Sequence, residues 1–254
     1  MNLVKKQIYD NVVPVIGKLL KCKNKYINVI YYHDVVKENG SGAQHTNIDI
    51  FKSHMNYIAE NGYKTYTFDE FEKGADISFS PKSVLITFDD GWLSNYAEIF
   101  AFMREKGLKY NVYLAVNEIG NNPEYLNWDQ IREMHESGLV GFGAHTYSHV
   151  SMQKIDEVDI EKEITLANKK FFDELGYMPM DFCYPYGYYS KESNDYFVKN
   201  TVYKRIYTSD LMFSYEQDGK IIFGRSSINN DESFKTFKNK LCGNYNTFNM
   251  IRGR

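Results

Sequence analysis

Seven short runs rich in β-branched and aromatic residues punctuate the chain: INVIYY (27–32), SVLITF (83–88), YNVYLAV (110–116), LVGFGA (139–144), DFCY (181–184), KRIYT (204–208) and KIIFG (220–224). Each reads as a strand. Between most of them, at 48–60, 92–106, 128–137, 156–175, 190–199 and 231–241, apolar positions recur with helical spacing. Strands alternating with helices imply parallel β/α units, and seven such units predict an α/β fold built as a distorted or incomplete (β/α)7 barrel. No repeat, low-complexity tract or linker breaks the 254 residues, so one domain over 27–254 is expected, preceded by a helical extension at 1–26.

In that extension Leu3, Val12, Val13, Val15, Ile16, Leu19 and Leu20 form an apolar face flanked by Lys5, Lys6, Lys18, Lys21, Lys23 and Lys25. Asp10, Pro14 and Lys18 interrupt any stretch long enough for a signal peptide or a membrane span. The chain therefore reads as cytoplasmic or membrane-peripheral rather than secreted, and packing of this helix on the barrel is preferred over a membrane-surface helix. Composition adds little to this picture, but a formal charge of −3 supplies no basic excess for nucleic acid. Aromatics at 16%, with 22 Tyr, favour a sugar-lined cleft only slightly, because most aromatic side chains fill cores. Cys22, Cys183 and Cys242 are too widely spaced for a CxxC metal pair or a disulfide framework, and reduced thiols are expected.

In a β/α barrel the chemistry sits at the C-terminal ends of the strands, and that rule sorts the polar residues. VLITFDDG ends a strand with Asp89 and Asp90 before Gly91 turns the chain; adjacent carboxylates there are costly unless a cation or shared proton relieves them. The competing view is a helix cap near Trp92 beside a solvated acid. GAHTYSH presents His145 and His149 after another strand, and a spacing of four lets both imidazoles share one face of a helical turn. No Glu follows His145, so the HExxH arrangement fails. Asp89 and Asp90 can instead supply one metal ligand and one base, completing a two-His, one-carboxylate site open to water and substrate. FCYPYG (182–187) ends a further strand and by itself is a common turn.

Taken together and in this order, TFDDG (87–91), HTYSH (145–149) and FCYPYG resemble the polysaccharide deacetylases of the NodB-homology group, carbohydrate esterase family 4, over roughly residues 27–240. The resemblance implies that the 27–254 unit is catalytic, that Asp89 is the general base, and that Asp90, His145 and His149 are metal ligands. It also implies that the backbone N–H of Tyr186 supports the developing oxyanion. The expected activity is hydrolytic removal of acetyl groups from N-acetylated sugars. Two imidazoles and a carboxylate suit zinc, and also iron, cobalt, nickel or manganese. YYHDVV, the F-x-Y-P form of the third motif and LNWDQIREMHESGLVGFGAHTYSH are similar to the branch acting on poly-N-acetylglucosamine.

Two departures stand against this pattern. Many members carry an Arg in the third motif that pairs with the base, where this chain has Cys183; Arg225, at the end of KIIFG, is the candidate replacement, with a surface salt bridge as the alternative. Many also end with a Leu-x-His strand bearing the general acid, yet all six histidines precede residue 150. His33, ending the first strand, is the candidate acid, and opening the barrel elsewhere would permute strand order without moving that strand in space. Its imidazole is expected to face the metal from the side opposite Asp89, with room for an acetamido group between them. His45, His54 and His135 are expected at the surface. Competing activities are hydrolysis of a small amide such as a ureide, and non-catalytic carbohydrate binding, against which the intact Asp89 argues.

Overall fold

The computed structural model describes residues 8–20, 23–38 and 44–248. Cys22, Leu3, Lys5, Lys6 and Lys21 lie outside them. Strands β1 (Asn28–Tyr32), β2 (Asp34–Val36), β3 (His45–Asn47), β4 (Lys64–Thr65), β5 (Ser83–Phe88), β6 (Tyr110–Leu114), β7 (Val140–Ala144), β8 (Asp181–Cys183), β9 (Arg205–Tyr207), β10 (Tyr215–Gln217), β11 (Lys220–Phe223) and β12 (Ser226–Ser227) alternate with helices. The helices used below are α1 (Val13–Leu20), α2 (Ile48–Glu60), α3 (Phe68–Glu72), α4 (Ser94–Ala97), α5 (Phe100–Lys106), α6 (Trp128–Glu136), α7 (Glu157–Leu175), α8 (Lys191–Asn200) and α9 (Phe234–Leu241).

The main sheet runs β10-β11-β9-β8-β7-β6-β5-β1-β12, with β4 beside β5. Every pairing in it is parallel except β10 with β11. β11 pairs with β9 at one side, and two residues later the same stretch of chain, as β12, pairs with β1. Residues 220–227 therefore close the barrel across its seam, and the strand positions follow chain order around it. All seven expected strands are present.

Side-chain parity divides the core in two. Val29, Leu85, Tyr113, Cys183, Tyr207 and Phe223 form the inner cluster, while Ile30, Ile86, Phe88, Val112 and Phe142 belong to the outer one, under the helices. Phe68 and Phe71 of α3 join the inner cluster, and the buried Arg205 there donates to Asp181 at 2.7 Å. Continuing the inward parity past each strand end brings Asp89 after Leu85 and Thr87, and Arg225 after Phe223, to the barrel axis.

The helix expected over 92–106 is two helices, α4 and α5. The Asn95 carbonyl accepts from the buried Tyr110 hydroxyl at 2.8 Å, and Ile99 N–H bonds Ser94 O instead. Losing that acceptor interrupts the ladder where Ile99 must turn into the core.

His54 departs from its expected surface position. Phe51, His54, Met55 and Ile58 share one face of α2, and all are buried. The imidazole stacks on Phe237 at 3.8 Å, and its Nδ1 is 3.1 Å from the Tyr32 hydroxyl. His45 and His135 are half-buried and paired with Asp34 and Asp69. Burial lowers the His54 pKa to about 4. Because the unfolded chain takes up this proton near pH 6.5 and the folded protein does not, stability falls as pH drops from 6.5 towards 4. We expect the unfolding free energy at pH 5 to lie about 2 kcal/mol below that at pH 7.5 on this account, and His54→Phe to remove that slope. Urea titrations at the two pH values check it; an equal slope in the variant would assign the pH dependence elsewhere.

Candidate metal and catalytic site

Asp89 follows β5 directly, and its N–H still bonds Tyr32 O at 3.0 Å, so the barrel ladder holds its backbone. Asp90 then turns away with φ 75°, followed by Gly91 at 89°, where a Cβ would lie 2.9 Å from Ile119 and 3.0 Å from Leu114. A side chain at 91 would face both a forbidden backbone angle and a filled space. Consecutive carboxylates are thereby sent to different places. Among described non-glycine residues, positive φ occurs at Asp90, Thr146, His149, Tyr186 and Asp218, and the first four surround this site. Backbone strain is concentrated where the polar groups converge.

Asp90 Oδ1 is buried and lacks a properly angled hydrogen bond. His145 Nε2 approaches it at 3.4 Å and His149 Nε2 at 3.1 Å. The other atoms of all three groups are occupied. His145 Nδ1 lies 2.7 Å from the Cys183 carbonyl, which can only accept, so Nδ1 carries a proton and Nε2 is the ring nitrogen turned towards Asp90. His149 Nδ1 meets the Tyr186 hydroxyl at 3.2 Å, and Trp92 Nε1 donates to Asp90 Oδ2 at 3.0 Å. Two imidazole nitrogens and one carboxylate oxygen thus converge with their outer atoms tied down, a donor set that fits a divalent ion. Burial pushes the Asp90 carboxyl up, but the two imidazoles override it and hold it well below the usual carboxylate range.

Asp89 is 3% exposed and has a different partner. Arg225, itself 1% exposed, donates to its two oxygens at 2.6 and 2.8 Å. The guanidinium also donates to Cys183 Sγ at 2.9 Å and lies over the Tyr31 ring at 4.2 Å. Arg225 therefore crosses the seam into the space above Cys183, and no surface salt bridge forms. Burial pushes the Asp89 carboxyl up, but Arg225, joined by His145 and His33, more than offsets that push and holds it below its usual value. Asp89, His145 and Cys183 also cluster. That trio is the weaker metal site, because Arg225 occupies both Asp89 oxygens and burial holds the Cys183 thiol well above its usual range.

His33 is at the site, but not where expected. Its Nε2 is 3.9 Å from Asp89 Oδ2, so no acetamido group fits between them. The cause is the turn after β1, where Asn95 holds the His33 carbonyl and Tyr31 stands 5.6 Å from its ring. Tyr186 lies in a tight turn with φ 61°, and its ring packs 4.7 Å from His149. A cleft of about 660 Å³, lined in part by Asp34, His45, Trp92 and Glu124, is separated from Asp90 by Trp92, and none of Asp89, Asp90, His145 or His149 lines it.

One residue is invisible to motif reading. Glu163, on α7, accepts from Tyr147 N–H at 2.9 Å, Ser148 N–H at 2.8 Å and the Ser148 hydroxyl at 2.7 Å. It pins the strained loop between His145 and His149. No local pattern marks it, because the contact joins a helix to a loop 15 residues earlier.

A family profile described as polysaccharide deacetylase matches residues 76–203. YxkH of Bacillus subtilis is 28% identical over 168 residues, covering 65% of this chain and 58% of its own length. The poly-β-1,6-N-acetyl-D-glucosamine N-deacetylase of Staphylococcus epidermidis is 28% identical over 153 residues, covering 54% and 52%. The chain thus spans little more than half of each. The solved structure of a polysaccharide deacetylase from Bacillus cereus superposes with a TM-score of 0.74 at 22% identity, covering 86% of this chain and 69% of that one, and shows the same fold. With the profile extending over half of the sequence and containing both the Asp89–Asp90 and the His145–His149 motifs, the chain belongs to the polysaccharide deacetylase family.

Proposed function

We propose that this protein hydrolyses the acetamido group of N-acetylglucosamine-type saccharides, with Asp90, His145 and His149 holding a divalent metal, zinc by donor type. The reading is carried by Asp90 Oδ1, a buried acceptor without a hydrogen bond between two imidazole nitrogens, beside an ionised, Arg-held carboxylate. The staphylococcal relative's named polymer is the substrate class assigned here. When bound, the ion supplies an acidified water and a Lewis acid for the amide oxygen.

Asp89 takes the water proton; Arg225 uses two of the carboxylate's lone-pair positions and leaves others free. The Tyr186 N–H stabilises the oxyanion that forms when water oxygen bonds to the amide carbon. His33, beside Asp89, delivers a proton to the departing nitrogen as the C–N bond breaks, leaving acetate and a free amine. His33→Ala is expected to keep metal content and to lower turnover by about 10²-fold or more. Near-normal rates would remove His33 from the reaction.

Glu163→Ala should weaken metal binding by about 10–100-fold, since it frees the loop bearing His149, with Glu163→Gln recovering part of the loss. Chelator competition measures this, and unchanged affinity would make Glu163 purely structural. The activity itself is tested by acetate release from the metal-loaded protein with N-acetylglucosamine oligomers, nucleotide sugars and small amides. Release from the sugars is expected; release confined to small amides would overturn the substrate class.

A further inference from the structure

The N-terminal helix has two faces, and the barrel uses one. Val13, Pro14 and Gly17 of α1 are buried. A Cβ on Gly17 would lie 1.7 Å from the Asn244 carbonyl, so the helix backbone rests directly on the segment after α9. That seating leaves Val12 45%, Val15 60% and Leu19 74% exposed. Positions 12, 15 and 19 fall on one side of a helical turn. Val15 and Leu19 border a groove of about 530 Å³ against α9, whose lining also includes Lys18 and Lys235 and, among the described residues, no carboxylate. Lys18, Lys235 and Lys238 are all exposed.

We propose that this face is a docking surface for an anionic phospholipid bilayer. Three apolar side chains standing out of a lysine-bearing surface match what an interfacial helix presents: apolar groups to the acyl boundary and cations to the phosphates. A second copy of the chain fits less well, because a two-fold contact through this face would set one lysine-bearing patch against the same patch of the other copy. The contact lies on the surface, and among the described residues no helix is long and apolar enough to cross a membrane. The inference does not depend on the deacetylase reading.

The test is sedimentation of the full chain with vesicles of phosphatidylglycerol mixed into phosphatidylcholine, against phosphatidylcholine alone. Binding to the anionic vesicles only, weakened by added salt, is expected. Val15→Ser with Leu19→Ser, and separately Lys18→Glu with Lys235→Glu, should each lower the partition coefficient about tenfold or more. Metal content and urea midpoint should not change, since these side chains are exposed. No binding by the parent, equal binding to both vesicle types, or full binding by both variants would overturn the proposal. So would concentration-dependent dimerisation that the same substitutions abolish, which would assign the face to a second copy.

Discussion

Asp89→Asn should bind metal as the parent does and lose turnover by about 10²–10⁴-fold or more, whereas Asp90→Asn should lose the metal itself. The two acids are neighbours in sequence but not in environment. Asp89 has both oxygens on Arg225 and is directed along the barrel axis, so it cannot swing out as a ligand without leaving a buried guanidinium unpaired. Asp90 offers Oδ1 to the point that both imidazole Nε2 atoms face, and Trp92 holds its other oxygen. In Asp89→Asn the amide oxygen still accepts from one Arg225 nitrogen, but the amide NH2 faces the other, so the variant loses its base and some stability while the Asp90, His145 and His149 donors remain in place. In Asp90→Asn a neutral oxygen replaces the carboxylate charge that offsets the ion. Metal content after gel filtration, measured with acetate release, separates them. Metal loss in Asp89→Asn with rate retained would exchange the two roles.

Replacing Arg225 by Met should shift the acid limb of the pH–rate profile to higher pH and destabilise the fold. Burial pushes the Asp89 carboxyl up, and Arg225 reverses that push. Without the guanidinium the upward push of burial is opposed only by the smaller pull of His145 and His33, so the base is protonated over a pH range where the parent is ionised. The sign of the stability change follows. In the parent, the depressed carboxyl contributes stability above its unfolded value, about pH 3.9, which is lost as pH falls through the folded value. In Arg225→Met the raised carboxyl costs stability as pH rises above 3.9. Leaving one partner of a buried pair alone typically costs about 3–5 kcal/mol, on the order of 10 °C in Tm for a domain of this size. Arg225→Lys should recover part of both effects. An unmoved acid limb in Arg225→Met would show that Asp89 does not set it.

Much of this architecture is legible along the chain. The seven strand runs are the seven barrel positions, and four of the six helical segments (48–60, 128–137, 156–175 and 190–199) match single helices to within a residue at each end. His54, a polar residue type, is buried because its i+3 spacing from Phe51 puts it on the core face, where stacking on Phe237 offsets the cost of burying a neutral imidazole. The break at Ile99 was not visible either, since it depends on a hydroxyl from β6 taking the Asn95 carbonyl.

By itself the sequence determined what repeats locally: strand and helix periods, the strand-end positions of Asp89, Asp90, His145 and His149, and the family to which their spacing belongs. Tertiary structure alone decided which groups meet. Arg225 reaches Asp89 only because residues 220–227 close the seam between β9 and β1, bringing together side chains 136 positions apart. His33 stands beside Asp89 because β1 and β5 pair in register, and Glu163 grips the His149 loop because α7 packs back across it. Local pattern encodes direction and burial within one element. Contacts between elements depend on how the whole sheet curls, which no single stretch of sequence contains.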